Sequence, residues 1–177
     1  MYQIIAQAIG IIAMVFNIVS YQQKSAKRII ALQFFGASFF ALNYLMLGAY
    51  IASMLNLVGV IRAVMFLKKD KTKVDRLGWV AVFGIAYVAA YVLNFTVLAK
   101  EPTVRNLIVE ILPVIAMFAT HLAYRCDSPK TLRYICLVSS VSWLIFNIVN
   151  FAIGAILCEV FSLVSIAIAT VRQGQKE

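Results

Sequence analysis

The sequence has little charge and few of the side chains from which catalytic sites are usually assembled. Charged residues make up 13% of its 177 positions, whereas an ordinary soluble domain has about 25%. There is one histidine, and the three cysteines, Cys126, Cys136 and Cys158, have neither metal-ligand nor redox spacing. No nucleophile motif is present. These deficits argue against a water-soluble globule, and they predict a protein that is not an enzyme and holds no metal or cofactor.

Apolar residues are abundant instead, at 63% of the chain. They fall in runs of about 20 residues, the length that crosses a bilayer, and too little polar surface remains to coat a globule of this size. The sequence therefore predicts an all-α polytopic membrane protein whose main partner is the lipid bilayer. Seven transmembrane helices are predicted, at residues 2–22, 29–47, 49–67, 79–98, 106–124, 132–153 and 155–171.

The basic residues predict the orientation of these helices. Thirteen of the 16 follow the first, third, fifth and seventh predicted spans, whereas Lys100 and Arg105 follow the fourth. The positive-inside rule places the thirteen in the cytoplasm, with the N-terminus in the periplasm and the C-terminus in the cytoplasm. The net charge of +9 therefore reports orientation. No nucleic-acid partner is predicted, because the basic residues lie at helix ends and form no stripe with aromatics.

Two displacements of the sequence against itself indicate an internal duplication. A shift of 103 residues pairs the triplet IAM at 12–14 with the same triplet at 115–117, and a shift of 106 pairs Asn56 with Ser162. Apolar helices match one another by chance, so agreement at polar and small positions adds weight. The chain is therefore predicted to contain two related halves.

The duplication predicts three segments. Residues 1–67 form the first three-helix repeat, 68–105 hold an inverting fourth helix with its flanking loops, and 106–177 form the second three-helix repeat with a cytoplasmic tail. The inverting helix makes the two repeats parallel, in a 3+1+3 plan. Transporters built from parallel repeats bind their substrate near the bilayer midplane, between the halves.

Polar and aromatic side chains in the repeat helices predict where a solute would bind. The predicted function is a carrier that moves a small polar solute, sugar-, nucleoside- or vitamin-like, by alternating access between the repeats. The predicted substrate-binding residues are Asn43, Asn56, Trp143, Asn147 and Ser162. The alternative is that such residues only join helices, as in any membrane bundle, within a non-transporting protein that serves as an assembly partner or a sensor.

Ionisable residues and one proline inside the predicted spans extend this site. Glu110 and Glu159 lie near the outer surface, and if they are sheltered from water they can couple solute movement to protons. A water-filled vestibule is the other explanation for both. Arg62 lies five residues from the inner end of its span, where snorkelling to the surface is expected. Pro113 removes a backbone hydrogen bond from the fifth span and is a candidate hinge.

One stretch resembles a known family. The segment LMLGAY at 45–50, followed by LNL at 55–57 and by Arg62, resembles the YgjV-type bacterial inner-membrane proteins over most of the chain. The resemblance implies an inner-membrane location. The seven-helix plan is also similar in architecture to the SWEET sugar carriers and the PnuC vitamin carriers. Many relatives of the sugar carriers have a Pro-Gln pair near the inner end of each first repeat helix. This sequence has YQQ at 21–23 and YRC at 124–126 instead, which argues against a sugar-carrier hinge. No oligomeric state is predicted.

Overall fold

The computed structural model describes residues 2–174, and the side chains of residues 3–168. This part of the chain is all-helical and contains no strand. The helices are α1 (Tyr2–Tyr21), α2 (Ala26–Met46), α3 (Tyr50–Leu67), α4 (Lys69–Thr72), α5 (Leu77–Thr96), α6 (Val104–Tyr124), α7 (Pro129–Val149) and α8 (Ile153–Gly174). Six of them, α1, α2, α3, α5, α6 and α7, are long and apolar enough to cross a membrane. The predicted all-α polytopic membrane protein is confirmed at this level.

The last helix extends beyond the residues whose side chains are described. The seventh predicted span, 155–171, lies within α8, whose described apolar stretch is Ile153–Ile168. This stretch ends where the described side chains end, and the side chains of 169–171 lie outside the described residues. The described residues therefore contain six long apolar helices and one shorter one.

Two helices begin about one turn earlier than their apolar sequence predicts. Ser25 precedes α2, and its hydroxyl accepts a hydrogen bond from the backbone N–H of Arg28 at 3.3 Å. Ser128 precedes α7, which has Pro129 in its first turn. Serine at the N-cap and proline at the first helical position both favour a helix start. The first turns contain basic residues, so hydropathy alone excludes them from the spans.

The helix α4 was not predicted, because its sequence KDKT is polar throughout. The hydroxyl of Thr72 donates a hydrogen bond to the carbonyl of Met65 at 2.8 Å, which folds the turn back onto α3. Lys69 forms an ion pair with Asp127 in the α6–α7 loop. The hydrogen bond from Lys69 to this carboxylate raises the pKa of the lysine. The contact ties together two loops at one end of the bundle.

Helix packing produces a ring with one helix outside it. Each helix of the ring contacts the next in the order α1, α2, α3, α6, α7 and α8, and α8 contacts α1 to close the ring. The remaining long helix, α5, packs against α3 and α6 from outside. Large apolar side chains such as Ile4, Leu57 and Ile85 are more than half exposed, which suits a surface that faces lipid and not water.

The two ends of the bundle differ in charge. At one end, called the turn end, residues 47–51, Lys100, Asn150 and Ala152 come together from the α2–α3, α5–α6 and α7–α8 connections. At the other, called the basic end, Lys24, Lys27, Lys69, Cys126 and Asp127 come together from the remaining loops. Consecutive long helices therefore run in opposite directions.

Close packing between α5 and α6 provides a test of the fold. A Cβ atom at Gly84 would lie 2.9 Å from Cζ of Phe118, whereas a Cβ at Gly78 in the same helix would meet nothing within 4 Å. We expect Gly84→Ala to destabilise the protein by about 1 to 3 kcal/mol through overpacking. Gly78→Ala is the matched control and should be neutral or slightly stabilising, since alanine favours helix. Thermal unfolding in detergent measures both, and equal stability of the two variants would contradict the α5–α6 packing.

Candidate functional site

A polar cavity lies inside the ring of helices. Its volume is about 80 Å³, which is enough for a few water molecules. Every ring helix contributes to its wall, and α5 contributes no lining residue. The lining residues are Asn17, Tyr21, Gln33, Ala37, Phe40, Tyr44, Asn56, Gly59, Arg62, Met117, Thr120, Tyr124, Ser139, Ser140, Trp143 and Glu159.

Aromatic rings form one side of the cavity. The Phe40 and Tyr44 rings stack with centroids 5.7 Å apart, and the Tyr44 and Trp143 rings stack at 5.9 Å with an interplanar angle of 15°. Trp143 also meets Phe146 edge to face at 5.8 Å. Stacked and edge-to-face arrangements are the favoured geometries of aromatic pairs. These contacts form a continuous row of packed rings along this side of the cavity.

Amides and hydroxyls line the rest of the cavity. The Tyr124 hydroxyl donates a hydrogen bond to Oε1 of Gln33 at 2.8 Å, which joins α6 to α2. Thr120 and Ser139 share a hydrogen bond at 2.9 Å between α6 and α7. Asn56 donates from Nδ2 to the carbonyl of Ala52 in its own helix at 2.8 Å. Such groups can bind a polar solute through side chains that the bundle already orients.

Arg62 reaches into this cavity and does not snorkel. Its side chain is only 3% exposed. Nη1 donates hydrogen bonds to the Tyr87 hydroxyl at 2.9 Å and to the Met117 carbonyl at 2.8 Å. The guanidinium carbon lies 4.9 Å from the centroid of the Tyr124 ring, within range of a cation–π contact. The expectation that Arg62 would extend to the inner surface is therefore wrong.

The two glutamates lie in different places. Glu159, on α8, lines the central cavity, as does Ser140 on α7. Glu110, on α6, is fully buried and lines a second cavity of about 340 Å³ at the turn end. There it forms an ion pair with Lys100 from the α5–α6 loop. Only Glu159 faces the same space as the aromatic wall.

The structure separates the five predicted substrate-binding residues into two groups. Asn56 and Trp143 line the central cavity. Asn43, Asn147 and Ser162 are almost fully buried and are not among its lining residues. Nδ2 of Asn43 donates to the carbonyl of Ala6 at 2.7 Å, and Oδ1 of Asn147 accepts from the Tyr44 hydroxyl at 2.8 Å. Ser162 lies one turn after Cys158 on α8, and both are buried. The candidate hinge, Pro113, is buried inside α6.

Several cavity residues were not selected from the sequence. Asn17, Gln33 and Arg62 lie on polar helix faces but were not assigned to the site. The internal duplication of the sequence identifies some of these cavity residues. Asn17 and Thr120, and likewise Tyr21 and Tyr124, are related by the displacement of 103 residues and line the same cavity. Polar side chains at matching positions of both halves are better candidates than isolated amides.

A few buried polar atoms have no hydrogen-bond partner among the described residues. Most native buried polar groups are satisfied, so each exception calls for an explanation. These atoms are Nε of Arg62, Nδ2 of Asn94, Oε2 of Glu110, both ring nitrogens of His121 and Nδ2 of Asn147. Arg62 lines the central cavity, while Asn94 and Glu110 line the cavity at the turn end.

The fold and this site define a polytopic helical membrane protein with a polar internal cavity. A family model, Imp-YgjV, described as a bacterial inner membrane protein, matches residues 4–177. The chain belongs to this family of bacterial inner membrane proteins. The resemblance stated from the sequence is thereby confirmed, as is a multi-pass location in the inner membrane. No curated protein and no solved structure matches the chain.

The ion pair at the turn end can be tested by a double-mutant cycle. Glu110 is fully buried and its Oε2 has no partner, so Lys100→Gln leaves a buried carboxylate unpaired. We expect a loss of about 3 to 5 kcal/mol in stability, measured by thermal unfolding in detergent. The double variant Lys100→Gln/Glu110→Gln should recover part of the loss, because no charge is then left alone.

The control for this cycle is Arg105→Gln, which removes an exposed positive charge close in sequence. It should change stability by less than about 0.5 kcal/mol. A cycle with no coupling between Lys100 and Glu110 would contradict the ion pair.

Proposed function

We propose that this protein is a carrier that moves a small polar solute across the inner membrane by alternating access. The observation that supports it is the central cavity, whose lining comes from the six ring helices and not from α5. A space shared by α1, α2 and α3 on one side and α6, α7 and α8 on the other is where carriers with parallel repeats bind their substrates. In this proposal the chain catalyses no reaction.

The proposal treats the two helix triplets as parallel repeats joined by α5. Four pairs of cavity residues are related by the displacement of 103 residues, which supports a common origin for the walls. The pairs are Asn17 with Thr120, Tyr21 with Tyr124, Ala37 with Ser140, and Phe40 with Trp143. The helix contacts follow the same relation. If α1, α2 and α3 correspond to α6, α7 and α8, then the α1–α8 contact corresponds to the α6–α3 contact, and both contacts are present.

Side-chain contacts support the same symmetry. The Tyr124 hydroxyl donates a hydrogen bond to Gln33, and the corresponding residues of the other halves, Tyr21 and Cys136, lie together in one buried cluster. Tyr44 and Asn147 are themselves 103 residues apart and share a hydrogen bond. Residues related by a twofold axis can touch only near that axis. Tyr44 and Asn147 therefore mark the proposed axis between the repeats.

Alternating access follows from this arrangement. The triplets meet along two seams, α1 with α8 and α3 with α6. A rocking motion of one triplet against the other would open the cavity to one membrane face while closing it to the other. Pro113 in α6 is the proposed hinge, and Glu159 is the acid placed to couple protons to this movement. Glu110 was the second residue predicted to couple protons. In this proposal it instead pairs with Lys100 and helps to close the bundle at the turn end.

The proposal includes a seventh span, α8, and a direction for all seven. The basic end would face the cytoplasm under the positive-inside rule, with the turn end and the N-terminus in the periplasm. The C-terminus would then lie in the cytoplasm, because α8 starts at the turn end.

Cysteine labelling tests this topology. In a variant without Cys126, Cys136 and Cys158, we expect a cysteine at Phe151, which is exposed at the turn end, to react with a membrane-impermeant maleimide in intact spheroplasts. A cysteine at Lys27 or after Glu177 should react only after permeabilisation. The site at Lys27 serves as the control for intact membranes. Labelling of the C-terminal cysteine in intact spheroplasts would contradict a membrane-spanning α8.

Uptake into proteoliposomes tests the carrier. We expect at least one solute in a panel of sugars, nucleosides, vitamins and small organic acids to enter above the rate of empty liposomes. Asn56→Leu and Trp143→Ala should reduce uptake about tenfold, the effect of losing roughly 1.4 kcal/mol of solute binding. Asn56 is a suitable site because its amide bonds only to its own helix.

Ser38→Ala is the matched control for uptake. Its hydroxyl bonds to the carbonyl of Phe34 in its own helix, and it is not among the cavity-lining residues. Uptake should be unchanged. If no solute in the panel moves above background, the alternative of a non-transporting assembly partner or sensor replaces the carrier.

A further inference from the structure

Arg62 is a buried cation without an anionic partner. Among the described residues, Asp127 forms an ion pair with Lys69 and Glu110 forms one with Lys100. Arg62 forms none, although it is 3% exposed and lies in a membrane-spanning helix. A buried charge normally needs both a counter-charge and hydrogen bonds to offset its desolvation. Intramembrane arginines therefore indicate a functional site.

The contacts that hold Arg62 orient its guanidinium but leave its charge uncompensated. Nη1 is bound by the Tyr87 hydroxyl and the Met117 carbonyl, and both acceptors are neutral. The ring of Tyr124 lies under the guanidinium carbon. Nε is buried and has no partner among the described residues. A guanidinium has five N–H donors, so these contacts fix its plane without using all of them.

A glycine lies next to the guanidinium at the cavity wall. Gly59 lies one turn before Arg62 on α3, and both line the central cavity. A Cβ at Gly59 would lie 3.8 Å from Nη2 of Arg62. The same Cβ would lie 3.1 Å from Cε of Met117, so glycine at this position lets Met117 and the guanidinium pack close to α3 at the cavity wall. A small anionic group can approach there.

We propose that the central cavity binds the carboxylate of a small organic solute at Arg62. The inference rests on the proposed function and names the chemical class of its solute. Planar guanidinium and carboxylate groups match in a bidentate geometry, with charge-assisted hydrogen bonds. A phosphate ester fits less well, since it would bring close to two negative charges to a cavity of about 80 Å³ in which Arg62 is the sole cation among the lining residues.

The remaining wall orients such a solute. Glu159 lines the same cavity without forming an ion pair to Arg62, and it would repel a carboxylate placed near it. Phe40 and Trp143 provide apolar surface for the body of the solute. A carboxylate at Arg62 therefore directs a donor group towards Glu159 and an apolar or unsaturated part towards the aromatic wall.

The experiment compares carboxylates with their neutral amides. Protein purified in detergent is heated with sodium acetate, acetamide, sodium benzoate or benzamide at matched ionic strength. A ligand that binds the folded state raises Tm in a saturable way. We expect one or both carboxylates to raise Tm, and neither amide to do so.

Two substitutions locate the effect. Arg62→Gln should abolish the carboxylate shift. Arg62→Lys keeps the charge but loses the planar fork, and it should weaken carboxylate binding about tenfold, a loss of roughly 1.4 kcal/mol. If Arg62→Gln does not fold, Arg62→Lys alone provides the test. Arg76→Gln removes an exposed charge at the start of α5, and it should leave the shift unchanged.

Three outcomes would overturn the inference: no carboxylate stabilises the protein, the amides stabilise it equally, or the shift is unchanged in the Arg62 variants. Uptake measurements separate this inference from the carrier proposal. Carboxylate stabilisation that depends on Arg62, without uptake of any solute, would uphold the site and reject the carrier. Uptake of a neutral solute that is unaffected by Arg62→Lys would uphold the carrier and reject the carboxylate site.

Discussion

The constraint on which the structure depends is that the bilayer core offers no hydrogen bonds. Each polar side chain in a spanning helix must find its partner inside the protein or in an enclosed space. The ring of six helices meets this need: Tyr44 bonds to Asn147 and Tyr124 to Gln33, while large apolar side chains face outward. The polar cavity is therefore a consequence of where these side chains can be satisfied.

The helices were predictable because their signal is local. An apolar run of about 20 residues crosses a bilayer whatever its neighbours are, so the six long spans follow from composition. Helix ends depend on single residues that hydropathy ignores. The cap at Ser25 and the proline at the start of α7, Pro129, extend α2 and α7 into basic sequence, and Thr72 in α4 donates a hydrogen bond back to Met65.

The cavity was only partly predictable, because a side chain's depth does not reveal its direction. Asn43 and Phe40 lie on the same stretch of α2, yet Asn43 turns to the carbonyl of Ala6 while Phe40 lines the cavity. Arg62 shows the same problem. Side chains on a helix tilt towards its N-terminus, and α3 runs from the turn end to the basic end. The tilt carries the guanidinium of Arg62 away from the near surface and towards Tyr87 and Met117.

The charges inside the spans do not follow the proposed repeat. Shifts of 103 and 106 residues relate Glu110 to Gln7 and Arg62 to Ile168, so neither charge has a charged counterpart in the other half. The aromatic and hydroxyl residues of the wall do have counterparts. A duplicated frame alone would give a cavity whose two halves are alike, and such a cavity has no preferred direction for a solute. Arg62 on one wall and Glu159 on another break that equivalence. Glu110 already has Lys100 as its partner, which leaves Arg62 as the charge whose compensation must come from the cavity itself.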